Sequence, residues 1–401
     1  MHPTTWGNGP MPSDTPQWQT LLESFGLLWP VKACSVGVLV GCSGGADSVG
    51  LVRLIDHAFR KAEATSPAKR PATAPPLIIA HFNHRLRASE SDADERLVRD
   101  LADSLNRTCI VGTPPPEGDA SCDESSLRNM RRRFFVKTAR HQGCRYIATA
   151  HTAGDQAETV LHHVLRGTGS QGLTGMQPAT PIAEDFVVLR PLLASQREQI
   201  RAAMSEIGQT WREDASNQDS RYTRNWLRND VMPLIRTRLP QVNDSLLRLS
   251  ANQSMTQDLL AMLADQWLTA FHQDGPRDDT GFTSFFRKPS LVGSAVGRNA
   301  VDRNAVGWNT VDWNAVDWNH DLALAVHPAV ITCACQTLFA RKSIPRGEMS
   351  QTHWIRLANW IRSDSAQIQN RISRGHLPGH IEVFETSHQI ELAVPNNSPH
   401  S

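Results

Sequence analysis

A short apolar run that ends in glycine, passes through a glycine-rich turn and continues at helical spacing constrains this chain more than any other feature. Residues 35–41 read Ser-Val-Gly-Val-Leu-Val-Gly, which suits a strand buried on both faces. Cys42-Ser43-Gly44-Gly45-Ala46-Asp47-Ser48 follows, and then Leu51, Val52, Leu54, Ile55, Ala58 and Phe59 recur with helical spacing. Where a strand turns through glycines into a helix, backbone N–H groups converge at the positive end of the helix dipole and attract an anion. The turn lacks the Gly-Lys-Ser/Thr of an ordinary P-loop, and it contains Asp47. A carboxylate beside phosphates is repulsive unless a cation bridges them. The turn therefore predicts phosphates cradled by Ser43, Gly44, Gly45, Ala46, Asp47 and Ser48, with Mg²⁺ at Asp47.

The same alternation continues downstream. Leu77-Ile78-Ile79-Ala80, Cys109-Ile110-Val111 and Tyr146-Ile147-Ala148 read as further strands. Helical spacing starts near Asp92, covers roughly 124–142 and restarts near Asp155. This pattern predicts a doubly wound, mostly parallel, Rossmann-like α/β domain over residues 30–215, after an N-terminal extension at 1–29. A helical region is expected at 216–275 and a small C-terminal α+β domain at 321–401, ending in strands around Ile381–Phe384 and Ile390–Val394. Between them, residues 296–319 repeat a five-residue unit such as Val-Asp-Trp-Asn-Ala. A period of five suits neither a helix nor a strand face, so 276–320 is read as a low-complexity insertion.

Charge is nearly balanced, with 41 basic and 40 acidic residues, so a polyanion could be met only by segregated charge. Two stretches are segregated. Arg128, Arg131, Arg132, Arg133, Lys137, Arg140 and Arg145 have no acid among them, and residues 221–248 hold six arginines against two aspartates. Both predict contact with phosphate or RNA backbone. The seven cysteines include no Cys-x-x-Cys, which predicts free thiols in a reducing compartment. No leader peptide and no apolar run long enough to span a bilayer is evident, so a cytoplasmic protein without a membrane partner is expected.

Taken in order, the motifs resemble those of the tRNA(Ile)-lysidine synthetase family, within the N-type ATP pyrophosphatase (PP-loop) superfamily. Ser43–Ser48 is similar to the superfamily's pyrophosphate-binding loop. His81-Phe82-Asn83-His84-Arg85-Leu86-Arg87, with Ser91 and Asp92, looks like the family's second motif. Glu124, Arg128 and Arg131 match Glu-x-x-x-Arg-x-x-Arg-Tyr, with Arg132 where the pattern has tyrosine. His151-Thr152-Ala153-Gly154-Asp155-Gln156-Ala157-Glu158-Thr159 resembles His-His-x-Asp-Asp-Gln-Ala-Glu-Thr, with Thr152 and Gly154 as departures. Glu213-Asp214-Ala215-Ser216-Asn217-Gln218-Asp219, then Tyr222, Arg224, Asn225 and Arg228, follow a further family segment. The likeness covers residues 35–230.

The resemblance implies a PP-loop ATPase that joins free L-lysine to C2 of the wobble cytidine in an isoleucine tRNA with a CAU anticodon. The route is an adenylated tRNA intermediate, with release of AMP and pyrophosphate. It implies ATP bound by the loop together with His81, Asn83, Arg128 and Arg131, catalysis by Asp47, His151, Asp155 and Glu158, and Mg²⁺ on Asp47 and Asp155. Arg221, Arg224, Asn225 and Arg228 are implied as tRNA contacts. Asp155 and Glu158 start a helix three residues apart and point the same way, so they can hold Mg²⁺ or the ammonium of lysine. The proton acceptor stays open between Asp155 and His151. Two rivals stand beside this reading: a tRNA thiolase of the same superfamily, and an inactive tRNA-binding protein if Thr152 and Gly154 abolish catalysis. A homodimer is compatible with the sequence but not specified by it.

Overall fold

The computed structural model describes residues 15–65, 75–85, 89–114, 124–183, 185–213, 223–278, 281–288, 327–344, 349–363, 368 and 370–395. It divides into two compact units, Met1–Gln253 and Ser254–Ser401.

In the first unit, strands β1 (Val38–Gly41), β2 (Leu77–Phe82), β3 (Thr108–Gly112), β4 (Tyr146–Ala148), β5 (Ala179–Ala183) and β6 (Phe186–Leu189) form one sheet in the order β3-β2-β1-β4-β6-β5. Every neighbouring pair is parallel except β5 with β6. The helices are α1 (Pro16–Leu28), α2 (Ala46–Thr65), α3 (Ser89–Leu105), α4 (Glu124–His141), α5 (Ala153–Leu165), the single turn α6 (Ser170–Leu173) and α7 (Arg197–Glu206).

Successive strand side chains point to opposite faces, and both faces are covered. Val38, Val40, Leu77 and Ile79 join a core with residues of α1, α2, α3 and α7, while Leu39, Ile78 and Ala80 pack with Ala139 of α4. This is the doubly wound arrangement read from the sequence. Helix α1 adds to it: Trp18, Leu21 and Phe25 sit one helical face apart and are buried in the first core, behind a proline at the helix start. The chain moves outward from β1 through β2 to β3 and then crosses back to β4. The connections after β1 and β4 therefore diverge, and the crevice at those two strand ends is where such sheets bind ligands.

The first unit closes with α8 (Thr223–Trp226), a π-helical turn (Leu227–Val231), α9 (Met232–Arg238) and the start of α10 (Val242–Phe271). In the second unit, β7 (His272–Asp278), β8 (Gly281–Arg287), β9 (Ile372–Leu377), β10 (Ile381–Glu385) and β11 (Gln389–Pro395) form an antiparallel sheet ordered β7-β8-β11-β10-β9. Helices α11 (Pro328–Arg341) and α12 (Gln351–Arg362) share its core, with Phe286, Phe339, Leu357, Val383 and Ile390. Glu385 is fully buried there and is neutralised by Lys288 and Arg374.

The hairpin expected at the C-terminus is present as β10 and β11. The strands at 272–287 were not foreseen, because His-Gln-Asp-Gly-Pro-Arg-Asp carries no strand signal; it is an irregular edge strand set by pairing with β8. The five-residue repeat at 296–319 lies outside the described residues. No helix among the described residues is long and apolar enough to cross a membrane.

Candidate active site

The loop after β1 is held open by its own hydrogen bonds. Gly44 has φ +95°, a conformation that side chains disfavour. Ser48 Oγ accepts from Ser43 N at 3.1 Å and donates to Gly45 O at 3.0 Å, while Ser43 Oγ lies 3.1 Å away. Across the loop, Arg212 N donates to Gly44 O at 3.0 Å. The result is a glycine turn at the N-terminus of the 20-residue α2, with Asp47 in its first turn. Asp47 Oδ2 accepts from Arg197 Nε at 3.1 Å, whereas Oδ1 is buried with no hydrogen-bond partner. Burial pushes the Asp47 carboxyl up, and the charge of Asp155 adds to that; the Arg197 guanidinium opposes both.

At the end of β2, two predicted ligand-binding residues shape the backbone. His81 is buried with Nδ1 2.8 Å from Cys42 O. A carbonyl only accepts, so Nδ1 carries the proton and ties β2 to the start of the phosphate loop. Asn83 is also buried; its amide donates to Glu95 Oε2 at 3.0 Å, and its carbonyl accepts from Arg85 N at 2.9 Å. Arg85 has φ +55°, so Asn83 braces a tight turn against α3.

The segment after β4 carries the densest charge cluster. Asp155 Oδ2 accepts from Thr152 N and Thr152 Oγ1, both at 2.9 Å, which caps α5. Its Oδ1 accepts from Arg197 Nη2 at 3.0 Å and Arg228 Nη2 at 2.5 Å. Glu158 receives a two-pronged grip from Arg228, Nε to Oε1 at 2.8 Å and Nη2 to Oε2 at 2.7 Å. Arg224 is looser, 3.7 Å from Asp155 and 3.8 Å from Glu158. Arg224 and Arg228 do share a face, as their spacing predicts, but that face meets the α5 carboxylates. Asn225 lies beside them, half-buried, and Arg221 lies outside the described residues. Asp155 has no oxygen left to share a metal with Asp47; Arg197 bridges the two carboxylates instead.

Burial pushes the Asp155 carboxyl up, but Arg197, Arg228, the Thr152 amide and Arg224 outweigh it and hold it at about 2. A carboxyl depressed from its ordinary 3.8 adds stability that is present above that value and lost as pH falls through about 2. Asp155→Asn should therefore flatten the fall in denaturant midpoint between about pH 4 and 2. Parallel wild-type and variant curves across that window would show that Asp155 is not the group titrating.

His151 stands before α5 with Nδ1 3.0 Å from Thr149 Oγ1. The Thr149 hydroxyl also lies 3.4 Å from Leu189 O, so it ties the segment before α5 to the end of β6. Burial lowers the imidazole to about 4 against the pull of Asp155, aided by Arg190, Arg224 and Arg128, so the ring is neutral at pH 7. Arg131, further along α4, acts in the same way on His84, which burial lowers to about 4.

Three arginines of this site were missed in the sequence: Arg190, Arg197 and Arg212. Arg190 directly follows β6, and its Nη1 donates to Gln177 O and Thr180 Oγ1, each at 2.8 Å. Its Nε is buried with no partner, a donor that an anionic oxygen near His151 would satisfy. The signal was available. Phe186-Val-Val-Leu189 reads as an apolar strand, and a polar residue at its C-terminal end occupies the same kind of position as His81 and His151. Arg212 closes over the loop by pairing with Asp94 at 2.5 Å. Gln156, the neighbour of Asp155, fastens α5 to the following glycine-rich segment through Thr174 O and Met176 at 3.1 and 2.8 Å, and to Ser250 at 2.9 Å.

Comparison with known proteins agrees with this geometry. A PP-loop domain family matches residues 21–235. A tRNA(Ile)-lysidine synthase from Rhodopirellula baltica is 37% identical over 404 residues, covering 95% of this chain and 97% of that one. Another, from Thermus thermophilus, is 36% identical over 235 residues, which cover 57% of this chain and 41% of that protein. A solved tRNA thiolase from Methanococcus maripaludis overlaps with a TM-score of 0.47 and 12% identity, covering 59% of this chain and 79% of that one, a likeness too slight to bear on chemistry.

Proposed function

The chain belongs to the tRNA(Ile)-lysidine synthase family and carries its PP-loop domain, and we propose that it joins the ε-amine of free lysine to C2 of the wobble cytidine of an isoleucine tRNA with a CAU anticodon. One observation carries this reading. In a chain that aligns along nearly its whole length with a lysidine synthase, one switch point brings together a phosphate loop after β1 and His151, Asp155 and Glu158 after β4. Family membership implies the use of ATP. The ATP phosphates rest on Ser43–Ser48, and Arg128, Arg131 and the unsatisfied Nε of Arg190 meet anionic oxygens nearby.

Asp47 fits a magnesium site, because its Oδ1 is buried without a partner beside that cradle. Mg²⁺ is usually held by one or two carboxylates together with substrate phosphates, and it would neutralise charge developing on the phosphates. Asp155 does not take part, since Arg197, Arg228 and Thr152 occupy both of its oxygens.

The C2 oxygen of cytidine is a poor leaving group until AMP is attached to it. Adenylation breaks the α–β bond of ATP and releases pyrophosphate. The lysine amine then forms the new C–N bond at C2, a proton is lost from nitrogen, and AMP departs with the former C2 oxygen. Asp155, held at about 2 and fully bonded, is a poor base. His151, neutral at pH 7, is the acceptor favoured here. Arg224 is the loosest partner of the carboxylates, so its movement would open Glu158 to the ammonium of the incoming lysine. Arg221, Arg224 and Asn225 meet the anticodon arm, with Arg228 as the internal clamp. The assignment of 30–215 to catalysis, 216–275 to tRNA binding, and the cytoplasm as location belong to the same proposal.

The thiolase alternative needs a reactive sulfur, and burial pushes the thiol nearest the loop, Cys42, up to about 11. One assay separates the readings. With ATP, labelled lysine and tRNA(Ile), label should enter acid-insoluble RNA in step with AMP. AMP without label in RNA, or label in RNA without ATP, would refute the proposal.

A further inference from the structure

The outer face of α4 is unlike the rest of the surface. Asn129, Arg132, Arg133, Val136, Lys137 and Arg140 line a groove of about 540 Å³. The same helix packs Phe134, Phe135, Val136 and Ala139 on the sheet, while Arg132, Arg133, Lys137 and Arg140 are exposed. Among the described residues, Arg132, Arg133 and Lys137 form no hydrogen bond or ion pair. Other surface arginines are matched with acids: Arg99 with Glu95, Arg201 with Glu213 and Arg371 with Glu391. Arg140 is held by stacking over the Phe186 ring at 5.4 Å. Four cations on one face with no acid, in a chain whose net charge is +1, form a local positive field without internal compensation.

The direction of the helix adds a second argument. Helix α4 leaves the C-terminal end of β3 and returns to the N-terminal end of β4, so it runs from the ligand crevice down the side of the unit. Arg128, one turn before Arg132, lies close enough to His151 to act on its imidazole. From Arg132 to Arg140 the helix rises about 12 Å, the rise of roughly three or four nucleotide steps.

We infer that the outer face of α4 is a track for RNA backbone, engaging phosphates of the same tRNA whose wobble base enters the crevice. The inference rests on tRNA being the substrate. The partner chemistry is a regularly spaced polyanion, which guanidinium and ammonium groups meet by releasing counterions. The cations of the groove offer contacts to phosphate oxygens, the contacts that fix the position of a nucleic acid on a protein.

The test is tRNA(Ile) binding across a salt series without ATP, for the wild type and for Arg132→Ala/Arg133→Ala/Lys137→Ala. The triple variant should bind more weakly and lose about 2 from the log–log salt slope, at roughly 0.7–0.9 per phosphate contact. ATP binding and the thermal melt should stay as in the wild type. The charge-preserving variant Arg132→Lys/Arg133→Lys/Lys137→Arg should keep most of the slope. A folded triple variant with wild-type tRNA affinity and slope overturns the track. So does a triple variant that loses only retention on phosphatidylserine vesicles, because the face would then serve a membrane. If the wild type neither modifies nor binds tRNA(Ile), the substrate reading itself fails, an outcome distinct from either of these.

Discussion

Arg228→Ala should cost the first unit about 3–5 kcal/mol of stability, more than any other single substitution in the site. Glu158 and Asp155 are buried carboxylates, and among the described residues Arg228 supplies both of the close cationic contacts on Glu158, along with the shortest of those on Asp155. Among the described residues, removing it leaves Glu158 with Arg224 at 3.8 Å, while Asp155 keeps Arg197 at 3.0 Å. The penalty therefore falls mainly on Glu158, a charge left in a poorly solvated place. For a unit of this size the loss corresponds to a fall in melting temperature on the order of 10 °C. The origin of the effect can be isolated, because Glu158→Gln in the Arg228→Ala background removes the stranded charge and should recover part of the loss. A melting temperature for Arg228→Ala within a degree or two of the wild type would mean that the carboxylates find water or another cation. So would a double variant no more stable than the single.

The same arginine shows where reading the sequence stops. Arg224 and Arg228 are four residues apart, and helical spacing correctly puts them on one face. Spacing says nothing about which way that face looks. It looks toward α5 because two buried acids there require counterions, a fact written 70 and 73 residues from Arg228, at Glu158 and Asp155. Arg197 was invisible for the same reason: its partners Asp47 and Asp155 lie 150 and 42 residues from it in the chain. The strand–glycine–helix order, by contrast, is local. An apolar run, a left-handed glycine and helical periodicity are neighbours in sequence, so β1, the phosphate loop and α2 could be read directly. Local signals also failed where pairing overrides propensity, as in the edge strand β7, and where a polar, proline-containing start precedes an apolar helical face, as in α1.

Asp47→Asn should reduce ATP-dependent AMP formation by on the order of 10²–10³ or more, the scale for losing a preorganised electrostatic contact to a transferring group. The same change should leave stability unchanged or slightly raised. Burial and the nearby charge of Asp155 both disfavour the ionised Asp47, with Arg197 opposing, and the carboxyl titrates above its ordinary value. A carboxyl with a raised pKa is a net cost to the folded state at pH 7, so an uncharged side chain of the same shape relieves that cost. Arg197 is not stranded in this variant, because its Nη2 still meets Asp155 at 3.0 Å. A residue whose charge disfavours folding, whose Oδ1 is buried and unpartnered, and which sits in the turn at the head of α2 is best explained by what it does when phosphates and a cation arrive. The decisive comparison sets AMP production beside the melting temperature for the wild type and Asp47→Asn. Wild-type AMP production by the variant would remove Asp47 from the chemistry. A large loss of stability would show that its carboxylate holds the loop together instead of serving the ligand.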